Sequence, residues 1–304
     1  PSRAVVVPYR GQLLHGDALH RQLDAWLASG SMEPAAAEGI RAVDANPDWL
    51  DLSDLTFALI GAGAQMGPLG PLLAWGAEVI AVDVPAPAVW SRVHRAANIS
   101  AGRVHMLTAD VAAHPGRVGR ALAERDLRGR RMVLGNYLYA PGSAYLLASA
   151  AADAVIAHVL RERDDTAIAA LGSPTEVYAV PAEVVAAARD AARRWGPLRV
   201  GGPMARAATA RRLALPQYPL DDPDAAPDAQ SGGAAGITDS MVMQQGPSYA
   251  MAKQVQRWRM AVARADGVDV SFNVAPPSRT GSVLSHRLLR AAYDGASRFG
   301  DEIF

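Results

Sequence analysis

The chain is predicted to fold as an α/β domain built on a doubly wound parallel sheet. From Leu55 onward, short apolar runs alternate with helix-length segments, and a glycine-rich turn follows the first of those runs. Strands joined by helical crossovers pair in parallel, with right-handed connections. The size agrees: 304 residues, 50% of them hydrophobic, suffice for one large α/β domain with additions or for two modest domains.

The elements follow in order. Residues 1 to about 54 read as a helical extension ahead of the main fold. DALHRQLDAWLASG places Leu19, Leu23 and Trp26 near one face of a short amphipathic helix. A second helix is expected over Pro34 to Ala45, opened by Ser31 or by the Met-Glu-Pro sequence. TFALIG is an apolar run ended by glycine, hence a buried strand. PLGPLLAWG is helical, and AEVIAVDV is a second buried strand. RVHMLTADV and RMVLGNYLYA supply the third and fourth strands, residues 144–162 a long Ala/Leu helix, and TAIAAL a fifth strand. The alternation then breaks. Residues about 179–236 are rich in Ala, Arg, Pro and Asp and end in LDDPDAAPDAQSGGAAG, the composition of a flexible loop. They read as an inserted cap within one domain spanning 55–304. A helix around Tyr249–Val262 and the strand VDVSFNVA resume the pattern.

Composition narrows the function. Basic and acidic side chains balance at 30 each, so the strong field of a nucleic-acid or anionic-membrane binder is absent. With no cysteine there are no disulfides, thiolate metal sites or cysteine nucleophiles. The 7 histidines form no HxH or HExxH pair, so no metal is expected. No apolar stretch reads as reaching the roughly 18 residues that span a bilayer. PSRAVVVPYRGQ lacks the basic start, apolar core and cleavage site of a signal peptide. The expectation is a cytoplasmic enzyme with a small-molecule substrate and neither nucleic acid nor membrane as partner.

Gly61-Ala62-Gly63-Ala64-Gln65-Met66-Gly67 lies between a strand and a helix. Glycines there permit a tight turn and close backbone approach to a pyrophosphate, and the next helix would offer free N–H groups and its positive dipole end. Asp83 closes the following strand about 20 residues further on, where an acid can accept hydrogen bonds from an adenosine ribose. This is the pattern of a Rossmann-like nucleotide site. It serves a dehydrogenase and an S-adenosylmethionine-dependent methyltransferase equally well, and a glycine turn needed only for helix–strand packing would look the same. The carboxylate of Asp83 opposes a 2′-phosphate, and no Arg or Lys follows before Arg92, so NAD is favoured over NADP.

Tyr249-Ala250-Met251-Ala252-Lys253 sets a phenol and an ammonium one helical turn apart, on one face. A nearby ammonium stabilises phenolate and lowers a tyrosine pKa from its reference near ~10. Such a phenol can protonate a carbonyl oxygen as a hydride arrives, or do the reverse. In isolation the same spacing is common among solvated helix pairs.

Taken together, these motifs resemble the short-chain dehydrogenase/reductase family through most of residues 55–285. YAMAK matches its Tyr-x-x-x-Lys, and Gly61 and Gly67 match the outer glycines of its TGxxxGxG, with Gln65 in place of the middle one. ADV at 109–111 falls where the family contacts adenine, which implies roles for Asp110 and Val111. Asn136 opens an altered version of its NAG turn, and VDVSFNVAPPSRT would bring Thr280 to the nicotinamide carboxamide. The resemblance implies an NAD(P)-dependent oxidoreductase acting on a carbonyl or alcohol, with Tyr249, Lys253 and Ser173 catalytic. Lys253 would also hold the nicotinamide ribose. It is compatible with a homo-oligomer.

The departures matter. Ser173 occupies the strand-end position of the family's serine but lies far upstream of Tyr249, and Ser240 and Thr238 are rivals. No Asn stands in residues 144–163 for the family's catalytic asparagine; His158 and Asp153 are polar there, or simply face solvent. A dinucleotide-binding sensor or scaffold without turnover is therefore an alternative, and a methyltransferase a weaker one. The basic cluster MARAATARR reads as a solvated face paired with the acidic run at 221–224. Met241, Met243, Met251, Met260 and Trp258 read as core.

Overall fold

The structure is a computed structural model and describes residues 3–180, 184–186, 236–239, 245–298 and 302–304. The chain divides into two compact units, residues 1–173 with 243–304, and residues 174–242.

The larger unit holds a six-stranded sheet of β3 (Leu55–Ile60), β4 (Glu78–Asp83), β5 (Arg103–Thr108), β6 (Arg131–Asn136), β7 (Thr166–Gly172) and β10 (Val270–Val274). Every pairing is parallel, in the order β10-β7-β6-β3-β4-β5. Counted within the sheet this is 3-2-1-4-5-6, the doubly wound order of dinucleotide-binding domains. Strands buried on both faces need apolar residues at every position, which is why ALI and VIAV run unbroken.

The crossover helices divide between the two faces. Ala58, Ile60, Ile80, Val82, Leu134 and Ile168 pack under α5 (Pro115–Ala123), α6 (Ala144–Glu162) and α7 (Pro247–Ala265). The alternate residues Leu59, Val79 and Ala81 pack under α3 (Leu69–Ala74) and α4 (Pro87–Asn98). Each strand residue thus serves one core or the other, as the period of two requires.

Two expectations need correction. The 19-residue α6 is long and apolar enough to cross a membrane by length and composition, with a mean hydropathy of 1.3. Here Tyr145, Ala148, Ala152, Ile156 and Val159 are buried, while Asp153 pairs with Arg259 on α7 at 2.6 Å. Trp258 and Met251 are not core: they are 65% and 55% exposed. The buried stripe of α7 is Ala252, Gln256, Met260 and Ala263, and the 3.6-residue period puts Trp258 on the opposite side. Met260 is core, whereas Met241 and Met243 lie outside the described residues.

Ahead of the sheet stand a hairpin, β1 (Val7–Tyr9) with β2 (Gln12–Leu14), and two helices, α1 (Gly16–Ser29) and α2 (Pro34–Ala45). The hairpin turns on Arg10 and Gly11, both at positive φ, as two-residue turns between twisted strands demand. Leu19, Leu23 and Trp26 are buried together, as their spacing predicts. Phe304 closes this small core: its ring stands 5.5 Å from Trp26 and 5.7 Å from Tyr9. It follows α8 (Gly281–Ser285) and α9 (Arg287–Arg298).

In the second unit, β8 (Val177–Val180) and β9 (Gly236–Asp239) form an antiparallel pair. The expected loop, the basic cluster at 204–212, the acidic run at 221–224 and Ser240 lie outside the described residues.

Aromatic contacts of this kind contribute about 0.5–1.5 kcal/mol each beyond area burial. Phe304→Ala should therefore lower unfolding free energy in urea by about 1–3 kcal/mol. Leu288→Ala, at a position 61% exposed, should change it by less than about 0.5 kcal/mol.

Candidate active site

A parallel sheet gathers the carboxyl ends of its strands on one edge, and the residues singled out in the sequence lie along it. Gly61 to Gly67 follow β3, Asp83 ends β4, Asp110 follows β5, Asn136 ends β6, Ser173 follows β7 and Thr280 lies beyond β10. Strand order reverses between β3 and β6, and a crevice at that point is where such folds bind ligands.

At this point two loops touch backbone to backbone. Gly61 has φ +78°, and a Cβ on it would stand 2.6 Å from the Cα of Leu138 in the loop after β6. Gly63 has no room either, with Val89 Cγ1 at 2.6 Å and Asp83 Oδ2 at 3.2 Å from a built Cβ. The Gly63 N–H donates to Asp83 Oδ2 at 2.8 Å and the Val84 N–H to Asp83 Oδ1 at 2.8 Å. A carboxylate has about four lone-pair sites, so each oxygen can still accept from a ribose hydroxyl. Arg92, on α4, reaches back to donate to the Gly63 carbonyl at 3.2 Å, so a guanidinium stands beside that carboxylate.

The helix after the turn is shorter than the motif implies. It begins at Leu69 behind Pro68 and ends at Ala74, six residues with Pro71 among them, so its dipole adds little. Gln65, standing where the resemblance expects a glycine, accepts from the Gly281 N–H at 2.7 Å and ties the turn to the loop after β10. Met66 is half-buried. The Thr280 hydroxyl lies 2.9 Å from that of Ser282. Asp110 holds its own turn through the N–H groups of Ala112 and Ala113, at 2.9 and 3.3 Å. The Val111 side chain is core, leaving only its backbone for a ligand. Buried Asn136 accepts from the Leu138 N–H at 3.3 Å.

Tyr249 and Lys253 lie in the first turns of α7. The Tyr249 hydroxyl donates to Ser173 Oγ at 3.0 Å, 76 positions away in sequence. Lys253 Nζ donates to the Leu171 carbonyl at 3.0 Å and to Gln256 Oε1 at 3.0 Å. Leu171 and Ser173 flank Gly172, so the end of β7 receives both groups. Of the serine candidates, Ser173 meets the phenol; Thr238 lies on β9, in the other unit. Asp153 binds Arg259 rather than facing water alone, and His158 packs over Gly119.

Three features went unread in the sequence. Gln256 is 2% exposed, and its Nε2 lies 3.5 Å from the Tyr145 hydroxyl. The Tyr145 ring, 1% exposed, is 5.6 Å from that of Tyr249 and 5.2 Å from that of Tyr139. Ser149, one turn on from Tyr145, buries a hydroxyl that has no hydrogen-bond partner among the described residues. A signal was available: Lys253 is the sole lysine in this sequence, every other one of the 30 basic residues being arginine. A chain that uses arginine everywhere else keeps a compact, readily titrated ammonium at this position.

The six-stranded order and the Tyr–Ser–Lys cluster on its carboxyl edge define a Rossmann-like α/β fold with a candidate active site. No protein-family model matches the chain, and no curated protein does. Among solved structures it is similar to a protein from Burkholderia xenovorans described as a short-chain dehydrogenase/reductase. The identity is 25% and the TM-score 0.33, over 40% of this chain and 55% of that one. A short-chain dehydrogenase/reductase from Serratia marcescens is 15% identical, with a TM-score of 0.42 over 75% and 76%. The FolM alternative dihydrofolate reductase 1 from Brucella canis, complexed with NADP, is 11% identical, with a TM-score of 0.42 over 84% of each chain. The chain spans just over half the length of the Burkholderia protein.

Burial pushes the Tyr137 phenol up to about 12 from an ordinary value of 10.0. Its contribution to stability is complete below pH 10 and is lost as pH rises through about 12, because the unfolded chain ionises first. Tyr137→Phe should therefore lose less stability than wild type between pH 10 and 12 in urea titrations.

Proposed function

We propose that this chain is an NAD(P)-dependent oxidoreductase of the short-chain dehydrogenase/reductase type that interconverts a carbonyl and an alcohol. The observation that carries the reading is the 3.0 Å contact between Tyr249 and Ser173, closed across 76 positions beside Lys253.

The residues present fit a dinucleotide. Gly61, Gly63, Gln65, Met66 and Gly67 would line the pyrophosphate, with Gly61 and Gly63 packed so closely on Leu138, Val89 and Asp83 that neither could carry a Cβ. Asp83 would hold the adenosine ribose, Asp110 and Val111 the adenine, and Asn136, Lys253 and Thr280 the nicotinamide end. When bound, the reduced nicotinamide supplies a hydride. A substrate oxygen within reach of both hydroxyls takes a hydrogen bond from Ser173 and a proton from Tyr249 as the carbonyl carbon gains the hydride. The ammonium of Lys253 favours the phenolate left behind, which regains a proton from solvent. In the oxidative direction the phenolate removes the alcohol proton.

Asp83 favours NAD, and Arg92 beside it gives a 2′-phosphate a partner, so the two side chains set the cofactor preference between them. Asp83→Ala should weaken NADH binding by roughly 10-fold or more, and Arg92→Ala should weaken NADPH alone, both read by calorimetry. If Asp83→Ala leaves both affinities unchanged, the ribose site is elsewhere.

Across a panel of ketones, aldehydes and alcohols, Tyr249→Phe should lower kcat/KM by roughly 100-fold or more while cofactor affinity stays near wild type. Tight NADH binding by wild type without turnover would make the protein a sensor. Binding of S-adenosylmethionine in place of NADH would make it a methyltransferase.

A further inference from the structure

A long charged side chain at a reaction site has to be held, because freezing its several rotatable bonds costs entropy. Lys253 is held from two sides. The Leu171 carbonyl fixes it to the end of β7, and Gln256, the next turn of α7, fixes it along its own helix. The second contact is unusual, since Gln256 is a polar residue on the buried stripe of α7, between Ala252 and Met260. A buried amide is costly unless both of its ends are satisfied. Here its oxygen faces an ammonium and its nitrogen faces the Tyr145 hydroxyl. Tyr145 in turn packs its ring on that of Tyr249. The amide thus sits in a chain running from the ammonium through one buried phenol to the ring of the other.

We infer that Gln256 is a positioning residue: its buried amide clamps the Lys253 ammonium at the end of β7 and, through Tyr145, keeps it in register with the Tyr249 phenol. This rests on the reading of Tyr249 and Lys253 as the proton-transfer pair. A neutral acceptor also stabilises the charged form of the lysine without cancelling its charge, which a carboxylate there would do. The other charged groups on this seam, Asp153 on α6 and Arg259 on α7, are paired with each other. The remaining titratable groups are Tyr145, His158, Arg161 and Glu162 on α6 and Tyr249, Arg257 and Arg264 on α7, with Arg257 one helical turn from Lys253; β7 itself carries none.

The sole lysine makes the test direct, because a lysine label reports one residue. In the full chain labelled with 13Cε-lysine, NMR titrations of wild type, Gln256→Leu and Gln256→Glu should give Lys253 midpoints in the order Leu, Gln, Glu from low to high. Each step should be roughly half a pH unit or more. In parallel, both variants should lower kcat by roughly 10-fold with KM for cofactor within about 3-fold, and both should move the alkaline limb of the kcat profile. A packing role alone would lower Tm and leave midpoint and pH profile in place, and that result overturns the inference. Gln256→Glu keeps the shape of the side chain, so the comparison survives if Gln256→Leu fails to fold. Ordered midpoints in a wild type that turns nothing over would leave the clamp standing and remove the dehydrogenase reading. Coincident midpoints in an active enzyme would do the reverse.

Discussion

When all six strands of a sheet run the same way, every strand ends on one edge, and the loops leaving that edge must share it. In this chain the consequence is concrete. The turn after β3 and the loop after β6 leave adjacent strands on opposite sides of the order reversal, so their backbones meet, and Gly61 is required because Leu138 passes where a Cβ would be. The same geometry brings Ser173 at the end of β7 to Tyr249 on α7, however much chain intervenes. The glycine turn, the acids and the phenol share one edge of the sheet because parallel pairing puts them there.

A second constraint acts along the seam between α6 and α7. Tyr145, Ser149 and Asp153 follow one another at single-turn spacing on α6, and the first and last engage Gln256, Tyr249 and Arg259 on α7. A polar seam in a buried helix pair is less stabilising than an apolar one of the same volume unless every group is satisfied. Asp153 and Arg259 satisfy each other through two hydrogen bonds, at 2.6 and 3.0 Å. The seam therefore fixes the register of α7 on α6, and with it the height at which Tyr249 and Lys253 meet the end of β7.

The sheet was legible in the sequence because doubly buried strands must be apolar at every position, and few helices as short as TFALIG or AEVIAV look the same. The glycine turn and Asp83 were legible for a related reason, as backbone geometry allowed little else at Gly61 and Gly63. What escaped depends on tertiary pairing. Trp258 has the composition of core but the phase of the exposed face. The N-terminal hairpin is only three residues a side, below the length at which alternation is readable. Gln256 could not be distinguished from a solvent-facing glutamine without knowing that its turn of α7 faces inward, and the approach of Arg92 to Gly63 joins residues on different elements. Sequence distance separated Ser173 from Tyr249, and the fold brings the two hydroxyls within 3.0 Å.

The proposed function depends most on a dinucleotide bound on the carboxyl edge where the strand order reverses. Amide hydrogen–deuterium exchange with and without NADH tests it without requiring turnover. The account predicts slower exchange on binding in residues 61–67, 83–92 and 137–139, and no change in α1 and α2. Binding that leaves those three segments unprotected, or protects α1 and α2 instead, would contradict it.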